Sequence, residues 1–254
     1  MSLLDLKREI FGTRGRLAFV IPVFNHAATA AKVIERTAEM GRPVIVVDDG
    51  STDDPFRSIA GREGVTIIRH EINKGKGAAL RTGLEAAAAV ADWAITLDSD
   101  GQHEPADAHK LIAAVPPGER PIVIGRRVGM VAGPVPWTSR FGRKFSNFWV
   151  RTAGGPKVTD SQSGFRLYPL PEVLRLKAVG DRFQYEVEVL ALAGWAGMRV
   201  VEAPVSVDYR PEGKRISHFR PFVDFWRDFF TFTRLITLRV ILPLRLRARW
   251  FLRP

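Results

Sequence analysis

The chain of 254 residues contains no cysteine, which excludes disulfide bonds, thiolate zinc sites and a cysteine nucleophile. It has no run of about 18 apolar residues, so we expect no helix that spans a bilayer. Residues 1–16 lack the apolar core of a secretory signal peptide, and none is expected. The chemistry of this chain must therefore rest on oxygen and nitrogen side chains.

Acidic residues are scarce near the C-terminus. The whole chain has 38 Lys and Arg against 27 Asp and Glu, a net charge of +11. From Arg210 onward there are 11 basic and 3 acidic residues, and no acidic residue follows Asp228. Such a basic segment is suited to nucleic acid or to anionic lipid, or it is simply solvated.

Five apolar segments in the first half of the chain have the length and boundaries of buried strands. We predict them within residues 16–25, 43–54, 65–70, 92–100 and 121–127, and helices within 26–40, 75–91 and 105–115. Continuous apolar strands that alternate with helices indicate a parallel sheet covered on both faces. The predicted fold class is therefore α/β, with a Rossmann-like, mostly parallel sheet flanked by helices.

The pattern changes after Arg127. We predict a basic, aromatic helix at 134–155, a loop entering a short strand at 160–170, a helix at 183–197 and an extended segment at 198–211. With no repeat or linker in view, we expect one catalytic domain over residues 1–210 and a basic amphipathic helical tail over 211–254.

Two predicted strands end in paired carboxylates. Asp98 and Asp100, with Gln102 behind them, end one strand, and Asp48 and Asp49 end another. Since carboxylates this close repel each other, a Mg²⁺ or Mn²⁺ ion between Asp98, Asp100 and Gln102 is the favoured interpretation. The alternative is that these residues only cap turns, which explains one aspartate better than two.

Two neighbouring features give weaker signals. His103 follows the acidic turn, where a polar histidine is often only solvated. The stretch 73–83, NKGKGAALRTG, has neither a third glycine in the dinucleotide spacing nor a phosphate-loop motif. Lys76 and the amides at this helix start could still hold an anion.

Six motifs in order resemble family 2 glycosyltransferases, and most closely the dolichyl- or polyprenyl-phosphate sugar synthases. They are IPVFN, VVDDGSTD, NKGKGAALRTGL, LDSDGQH, IGRR and DSQSGFRLY, and they cover about residues 17–210. The resemblance implies a glycosyltransferase A-type fold, a GDP- or UDP-linked sugar donor, a divalent metal and inversion at the anomeric carbon.

The resemblance also assigns roles to the matching residues. It implies that Asp98 and Asp100 form the D-x-D pair and that Gln102 adds a metal contact. It implies that Asp49, with Asp48 beside it, contacts the nucleobase or ribose of the donor, and that Pro22 and Asn25 lie on the entry strand of the donor pocket. Asp98 and Arg166 are further donor-binding positions, and Lys76 at the helix start is expected to join them. The arginines that it implies for acceptor phosphate and leaving diphosphate are Arg126, Arg140 and Arg143. It also places Asp160 and Arg166 on either side of residues 163–165, the Ser-Gly-Phe loop.

The acceptor determines whether the reaction needs a general base. A lipid phosphate is already a nucleophile at pH 7. A hydroxyl of a glycan or glycolipid, the alternative acceptor, needs a base, and Asp160 is then the first candidate. The segment EPAD after Gln102-His103 departs from the synthases, which have two prolines and a glutamate there. That departure bears on which acceptor is used and not on the resemblance to family 2 glycosyltransferases.

The tail has the pattern of a helix that lies in a membrane interface. Its predicted polar face carries Arg220, Asp224, Arg227, Asp228, Thr231 and Arg234, and its apolar face carries Phe222, Phe225, Trp226, Phe229, Phe232 and Ile236. We therefore expect a cytoplasmic enzyme associated peripherally with the inner face of the plasma membrane. The alternatives are that this helix packs on the catalytic domain, or that the basic tail binds nucleic acid, which is not expected.

Overall fold

The computed structural model describes residues 15–53, 59, 61–130, 137–208, 221–243 and 246–247. Its strands are β1 (Leu17–Val23), β2 (Val44–Asp48), β3 (Val65–Arg69), β4 (Trp93–Thr96), β5 (Ile122–Met130), β6 (Arg166–Pro169) and β7 (Val200–Val207). They form one sheet in the order β3-β2-β1-β4-β6-β5-β7. The predicted α/β class is confirmed.

Helices connect most of these strands. They are α1 (Ala27–Ala38), α2 (Lys76–Ala88), α3 (Ala108–Ala113), α4 (Trp137–Thr152), α5 (Glu172–Arg175), α6 (Gln184–Trp195) and α7 (Pro221–Ile241). None of the described helices is both long enough and apolar enough to cross a bilayer. The described part of α7 is followed by Pro243, where a helix was predicted to end.

One strand runs against the others. β1 pairs in parallel with β2 and β4, and β2 pairs in parallel with β3, but β6 is antiparallel to both β4 and β5. The sheet is therefore mostly, not wholly, parallel. The carboxyl ends of β1, β2, β4 and β5 lie at one edge of this sheet, which is where ligands bind in open α/β sheets.

Two apolar cores lie on the two faces of the sheet. Helices α1 and α3 cover one face, with residues such as Ile34 and Leu111 fully buried. Helices α2, α6 and α7 cover the other face, where Leu84 and Leu190 are buried. Because both faces are covered, the strands can be apolar throughout, as their sequences predicted.

Helix α7 packs on the rest of the fold along one row of side chains. Phe232 is 2% exposed and Leu235 is fully buried, and the Phe232 ring stacks on Trp149 of α4 with centroids 6.2 Å apart. The predicted membrane face is wrong at Phe232, because that ring belongs to the core. The exposed apolar row instead contains Trp226, Phe229 and Phe230.

Several predicted tail features lie outside the described residues. They include residues 209–220, most of the segment after Pro243 and the side chains of Phe222, Asp224, Phe225 and Asp228. The side chain of Arg140 in α4 is likewise outside them.

Candidate active site

Lys76 joins the acidic end of β4 to helix α6. It is the first residue of α2, and its Nζ lies 2.7 Å from Asp98 Oδ1 and 3.1 Å from Glu186 Oε2. The Lys76 side chain is only 17% exposed and that of Glu186 only 5%. One buried cation therefore connects two carboxylates from distant parts of the chain.

The charges of this group stabilise each other. Burial alone would lower the pKa of Lys76, but the Asp98 and Glu186 carboxylates outweigh it and raise that pKa above its ordinary value. Burial would raise the pKa of Asp98, but the Lys76 ammonium outweighs it and holds that pKa below its usual range. Both groups are therefore charged at pH 7, and Asp98 already has a cation beside it.

The Ser-Gly-Phe loop packs directly against Asp98. A Cβ atom on Gly164 would lie 2.4 Å from Asp98 Oδ2, so only glycine fits at this position without movement. The Thr96 hydroxyl donates a 2.7 Å hydrogen bond to the Gly164 carbonyl and fixes the loop to the end of β4. The motif predicted on sequence grounds thus forms one wall of the acidic site.

Asp100 and Gln102 lie in the turn that follows. Asp100 Oδ1 accepts a 3.0 Å hydrogen bond from the Gln102 amide, and the Gln102 carbonyl accepts one of 2.9 Å from the Asp208 amide after β7. Among the described residues, no group of three or more His, Cys, Asp and Glu side chains is arranged to hold a metal. A carboxylate and an amide oxygen are nevertheless hard donors that fit Mg²⁺ or Mn²⁺ when substrate phosphate and water complete the shell.

His103 is buried rather than solvated, contrary to the simplest expectation for a turn histidine. It is 6% exposed, and its ring centroid lies 5.2 Å from that of Phe165. Burial lowers the pKa of His103 to about 4 despite the nearby Asp98 charge. The imidazole is therefore neutral at pH 7 and helps to close the floor of the site.

Asp49 binds the protein's own backbone. Its Oδ1 accepts the Lys74 amide at 2.9 Å and lies 2.8 Å from His70 Nδ1, and its Oδ2 accepts the Gly75 amide at 2.7 Å. The side chain is only 3% exposed. Asp49 therefore holds the loop that leads into α2, and its contact with a nucleobase or ribose stays a prediction.

Asp48 is also directed into the protein. It is fully buried, its Oδ1 accepts the Ser51 amide at 2.9 Å, and its Oδ2 lies 3.3 Å from Arg69 Nε. Like Asp49, it shapes the turn after β2. The donor-binding role expected for Asp48 likewise stays a prediction.

Pro22 and Asn25 lie at the end of β1, next to this turn. Pro22 is buried in the β1–β2 ladder opposite Val47. Asn25 has a φ of 51°, and its Oδ1 accepts the Thr52 amide at 2.8 Å. Both residues therefore place the β1 and β2 ends side by side, and their contact with a donor stays a prediction.

Asp160 is a buried carboxylate that is paired with Arg127. It is fully buried and accepts Arg127 hydrogen bonds of 3.1 Å from the backbone amide, 2.8 Å from Nε and 2.7 Å from a terminal nitrogen. Burial would raise the pKa of Asp160, but Arg127, with Arg143 at 3.8 Å, outweighs it and keeps that pKa below its usual range. A carboxylate stabilised in this way is charged at pH 7, and its role as a base for a hydroxyl acceptor stays a prediction.

Arg126 and Arg127 point to opposite faces of β5, as neighbouring residues of a strand do. Arg127 pairs with Asp160. Arg126 is partly exposed, and among the described residues no hydrogen bond or ion pair is found for its side chain. Its predicted contact with substrate phosphate therefore stays open as a proposal.

Arg166 braces the Ser-Gly-Phe loop, and its role in donor binding stays a prediction. It is fully buried, and it donates hydrogen bonds to the carbonyls of Ser161, Ser163 and Glu186 at 2.6–2.8 Å. The guanidinium is enclosed by these carbonyls. It holds the Ser-Gly-Phe loop against helix α6.

Sequence reasoning missed Glu186 as part of the site, and it did not show that Arg127 of the IGRR motif pairs with Asp160. Glu186 and Glu188 are the only charged residues of α6, which is otherwise mostly apolar along its length. A carboxylate in such a helix needs a buried partner, and that requirement was the available signal.

Comparison with solved structures identifies the fold. Glucosyl-3-phosphoglycerate synthase from Mycobacterium tuberculosis, crystallised with Mn²⁺, UDP and glucosyl-3-phosphoglycerate, superposes with a TM-score of 0.64 at 20% identity. The match covers 96% of this chain and 85% of that chain. The fold is therefore that of the glycosyltransferase A-type enzymes.

The family follows from the sequence comparison. The model of glycosyl transferase family 2 matches residues 18–170, and the chain belongs to this family. One relative is the UDP-N-acetylglucosamine–dolichyl-phosphate N-acetylglucosaminyltransferase of Methanococcus voltae, which is 31% identical over an alignment of 219 residues. The alignment covers 75% of this chain and 84% of that protein. Another is the dodecaprenyl-phosphate galacturonate synthase of Rhizobium johnstonii, 26% identical over 66% of this chain and 52% of that protein. The resemblance to this family is confirmed.

Proposed function

We propose that this enzyme transfers a sugar, with inversion, from a UDP- or GDP-linked donor to a polyprenyl phosphate at the inner surface of the plasma membrane. The observation that carries the proposal is the Lys76–Asp98–Glu186 group at the carboxyl edge of the sheet, next to Asp100 and Gln102. Relatives that are named for dolichyl- and dodecaprenyl-phosphate acceptors support the same acceptor class.

The donor diphosphate fits the edge formed by Asp98, Asp100 and the start of α2. A divalent ion held by Asp100 and Gln102 would supply positive charge that stabilises the departing diphosphate. Lys76 keeps Asp98 neutralised, so that the site is not dominated by uncompensated negative charge. The solved neighbour that contains Mn²⁺ and UDP supports the choice of metal and nucleotide class.

A phosphate acceptor fits this site better than a hydroxyl. Asp160, the carboxylate expected to serve a hydroxyl as a base, is already ion-paired with Arg127 and has a lowered pKa. A phosphate oxygen is anionic at pH 7 and attacks without a base. Arg126, which is partly exposed near the carboxyl edge of the sheet, is the proposed contact for that phosphate.

The exposed side of α7 is the proposed membrane surface. Phe230 is 65% exposed, and its ring packs with Trp226 and Phe229, whose centroids lie 6.0 and 5.9 Å away. Val240 and Ile241 near the helix end are also exposed. Aromatic and aliphatic side chains on a basic segment are the features of a helix that lies in a membrane interface.

The acceptor class can be tested with matched lipids. Purified protein and Mn²⁺ would be given labelled UDP- and GDP-sugars with either a polyprenyl phosphate or the corresponding polyprenol. We expect label on the phosphate and none on the alcohol. Transfer to the alcohol or to a glycolipid hydroxyl instead would support the alternative acceptor and overturn the phosphate assignment.

A further inference from the structure

A buried carboxylate on α6 is shared by two separate parts of the molecule. The Glu188 side chain is 1% exposed, and its Oε2 accepts the Val179 amide at 3.1 Å and the Gly180 amide at 2.8 Å. Its Oε1 is ion-paired with Arg234 of α7. Glu188 therefore connects the C-terminal helix to the loop that precedes α6.

That loop packs against the first turn of α2. The Ala78 amide donates a 3.0 Å hydrogen bond to the Asp181 carbonyl. A Cβ atom on Gly77 would lie 2.4 Å from the Gly180 carbonyl oxygen, so the two backbones are in direct contact. Any movement of the loop must therefore move the start of α2, where Lys76 reaches Asp98.

Arg234 supplies charge rather than packing. Its side chain is 41% exposed, in contrast to its nearly buried partner Glu188. Loss of one partner from such a pair leaves an uncompensated buried charge, which is strongly unfavourable. Without Arg234, the Glu188 carboxylate must either be hydrated by water that enters the protein or move. The Val179–Gly180 loop, which is hydrogen-bonded to it, then moves as well.

We infer that Arg234 is a positioning residue for the donor site. It neutralises Glu188, Glu188 fixes the 179–181 loop, and the loop fixes the α2 turn that presents Lys76 to Asp98. This inference rests on the proposed function, because its readout is binding of the donor nucleotide. It gives helix α7 a second role in addition to the proposed contact with the membrane.

The test is the affinity of the full-length protein for UDP and GDP in the presence of Mn²⁺, measured by isothermal titration. Arg234→Gln should weaken binding by about three- to tenfold while the circular dichroism spectrum is retained. Arg239→Gln is the matched control on the same helix. Arg239 donates to the carbonyls of Arg151 and Thr152 at the end of α4, away from the loop, so its replacement should leave the affinity unchanged.

Recovery of nucleotide affinity in a double variant distinguishes an effect of charge from a general loss of packing. In the Arg234→Gln/Glu188→Gln double variant the uncompensated carboxylate is gone, and the amide oxygen of the introduced glutamine can still accept from the Val179 and Gly180 amides. We expect affinity within about twofold of the wild type, because the coupling acts through that charge. A double variant as weak as Arg234→Gln, or weaker, would overturn the inference.

The remaining outcomes distinguish failure of the proposed function from failure of this inference alone. If the wild type binds neither nucleotide, the proposed function and this inference fail together. If the wild type binds one and Arg234→Gln binds it equally well, only the inference fails. Should Arg234→Gln not fold, Arg234→Lys decides, since it keeps the charge and should bind like the wild type; weakened binding by a folded Arg234→Lys would count against the charge mechanism.

Discussion

Lys76 is the residue on which the proposed donor site most depends. Replacement by Met would leave the Asp98 and Glu186 carboxylates facing each other without a cation. We expect sugar transfer to fall at least about 100-fold, as it does when a group that stabilises charge is removed. The free energy of unfolding should also fall by on the order of 3 kcal/mol, since one partner of a buried pair is lost.

The control for this variant is Lys157→Met, which removes the same charge from an exposed position. It should leave both rate and stability close to wild type. Steady-state rates together with urea unfolding separate the two effects, and a Lys76→Met enzyme with wild-type rate would show that the lysine plays no part in the reaction.

Asp160 gives a prediction about pH. Its pKa in the folded protein is lowered by Arg127, so it contributes stability above the pKa of about 4 that it has in the unfolded chain. That contribution is lost as the pH falls through the folded-state value. Asp160→Asn should therefore be less stable than wild type by about 3 kcal/mol at pH 7 and pH 5, with a smaller difference at pH 3.

Urea unfolding at several pH values measures that difference directly. Asp92→Asn, which removes a partly exposed partner of Arg16, should change stability by less than about 1 kcal/mol throughout. A gap for Asp160→Asn that widens toward acid pH would contradict the ion-pair assignment.

At the scale of the element, helix α7 has two apolar rows, of which one is buried in the core and the other is exposed. Phe232 is buried against α4, whereas Phe230 is exposed. Phe232→Ala should lower the free energy of unfolding by about 3–5 kcal/mol, as expected for a core aromatic. Phe230→Ser should change it by less than about 0.5 kcal/mol.

The exposed residue, Phe230, also provides a test of the proposed membrane surface. Phe230→Ser should reduce partitioning onto anionic vesicles by about tenfold, because burial of a Phe side chain is worth about 1.5 kcal/mol or more. Sedimentation with vesicles measures the partition. Unchanged partitioning of Phe230→Ser would mean that this row does not contact lipid.

The elements themselves were predictable to different degrees. Apolar runs predicted β1, β2 and β4, and the glycine-flanked, alanine-rich run predicted α2. Strand direction was not predictable for β6, because a four-residue strand has the same pattern in either direction. Nor could a periodic pattern show that Phe232, among many aromatics of α7, faces the core.

The site was predictable in its location more than in its contacts. The acidic ends of β2 and β4 lie at the same edge of the sheet, as continuous strands implied. Yet Asp49, directly after β2, and Arg166 of β6 bind backbone groups from other segments, and Glu186 is more than a hundred residues from Lys76 along the chain. Local spacing carries no information about such long-range partners.

At the scale of the whole molecule, the net charge of +11 makes the proposed association with membranes sensitive to salt. Each basic residue near an anionic surface contributes about 1 kcal/mol, and salt screens that attraction. Binding to vesicles that contain anionic lipid should therefore weaken steadily as salt is raised. Equal binding to neutral and anionic vesicles would rule out this electrostatic contribution.

The most direct test of the central claim is transfer of a sugar in a reconstituted membrane. Vesicles that contain polyprenyl phosphate would be incubated with the protein, Mn²⁺ or Mg²⁺, and a panel of labelled UDP- and GDP-sugars. We predict that label from one donor enters the organic phase as a glycosylated polyprenyl phosphate, and that Asp100→Asn abolishes this transfer. Failure of every donor to label the lipid, or full activity of Asp100→Asn, would contradict the proposed enzyme.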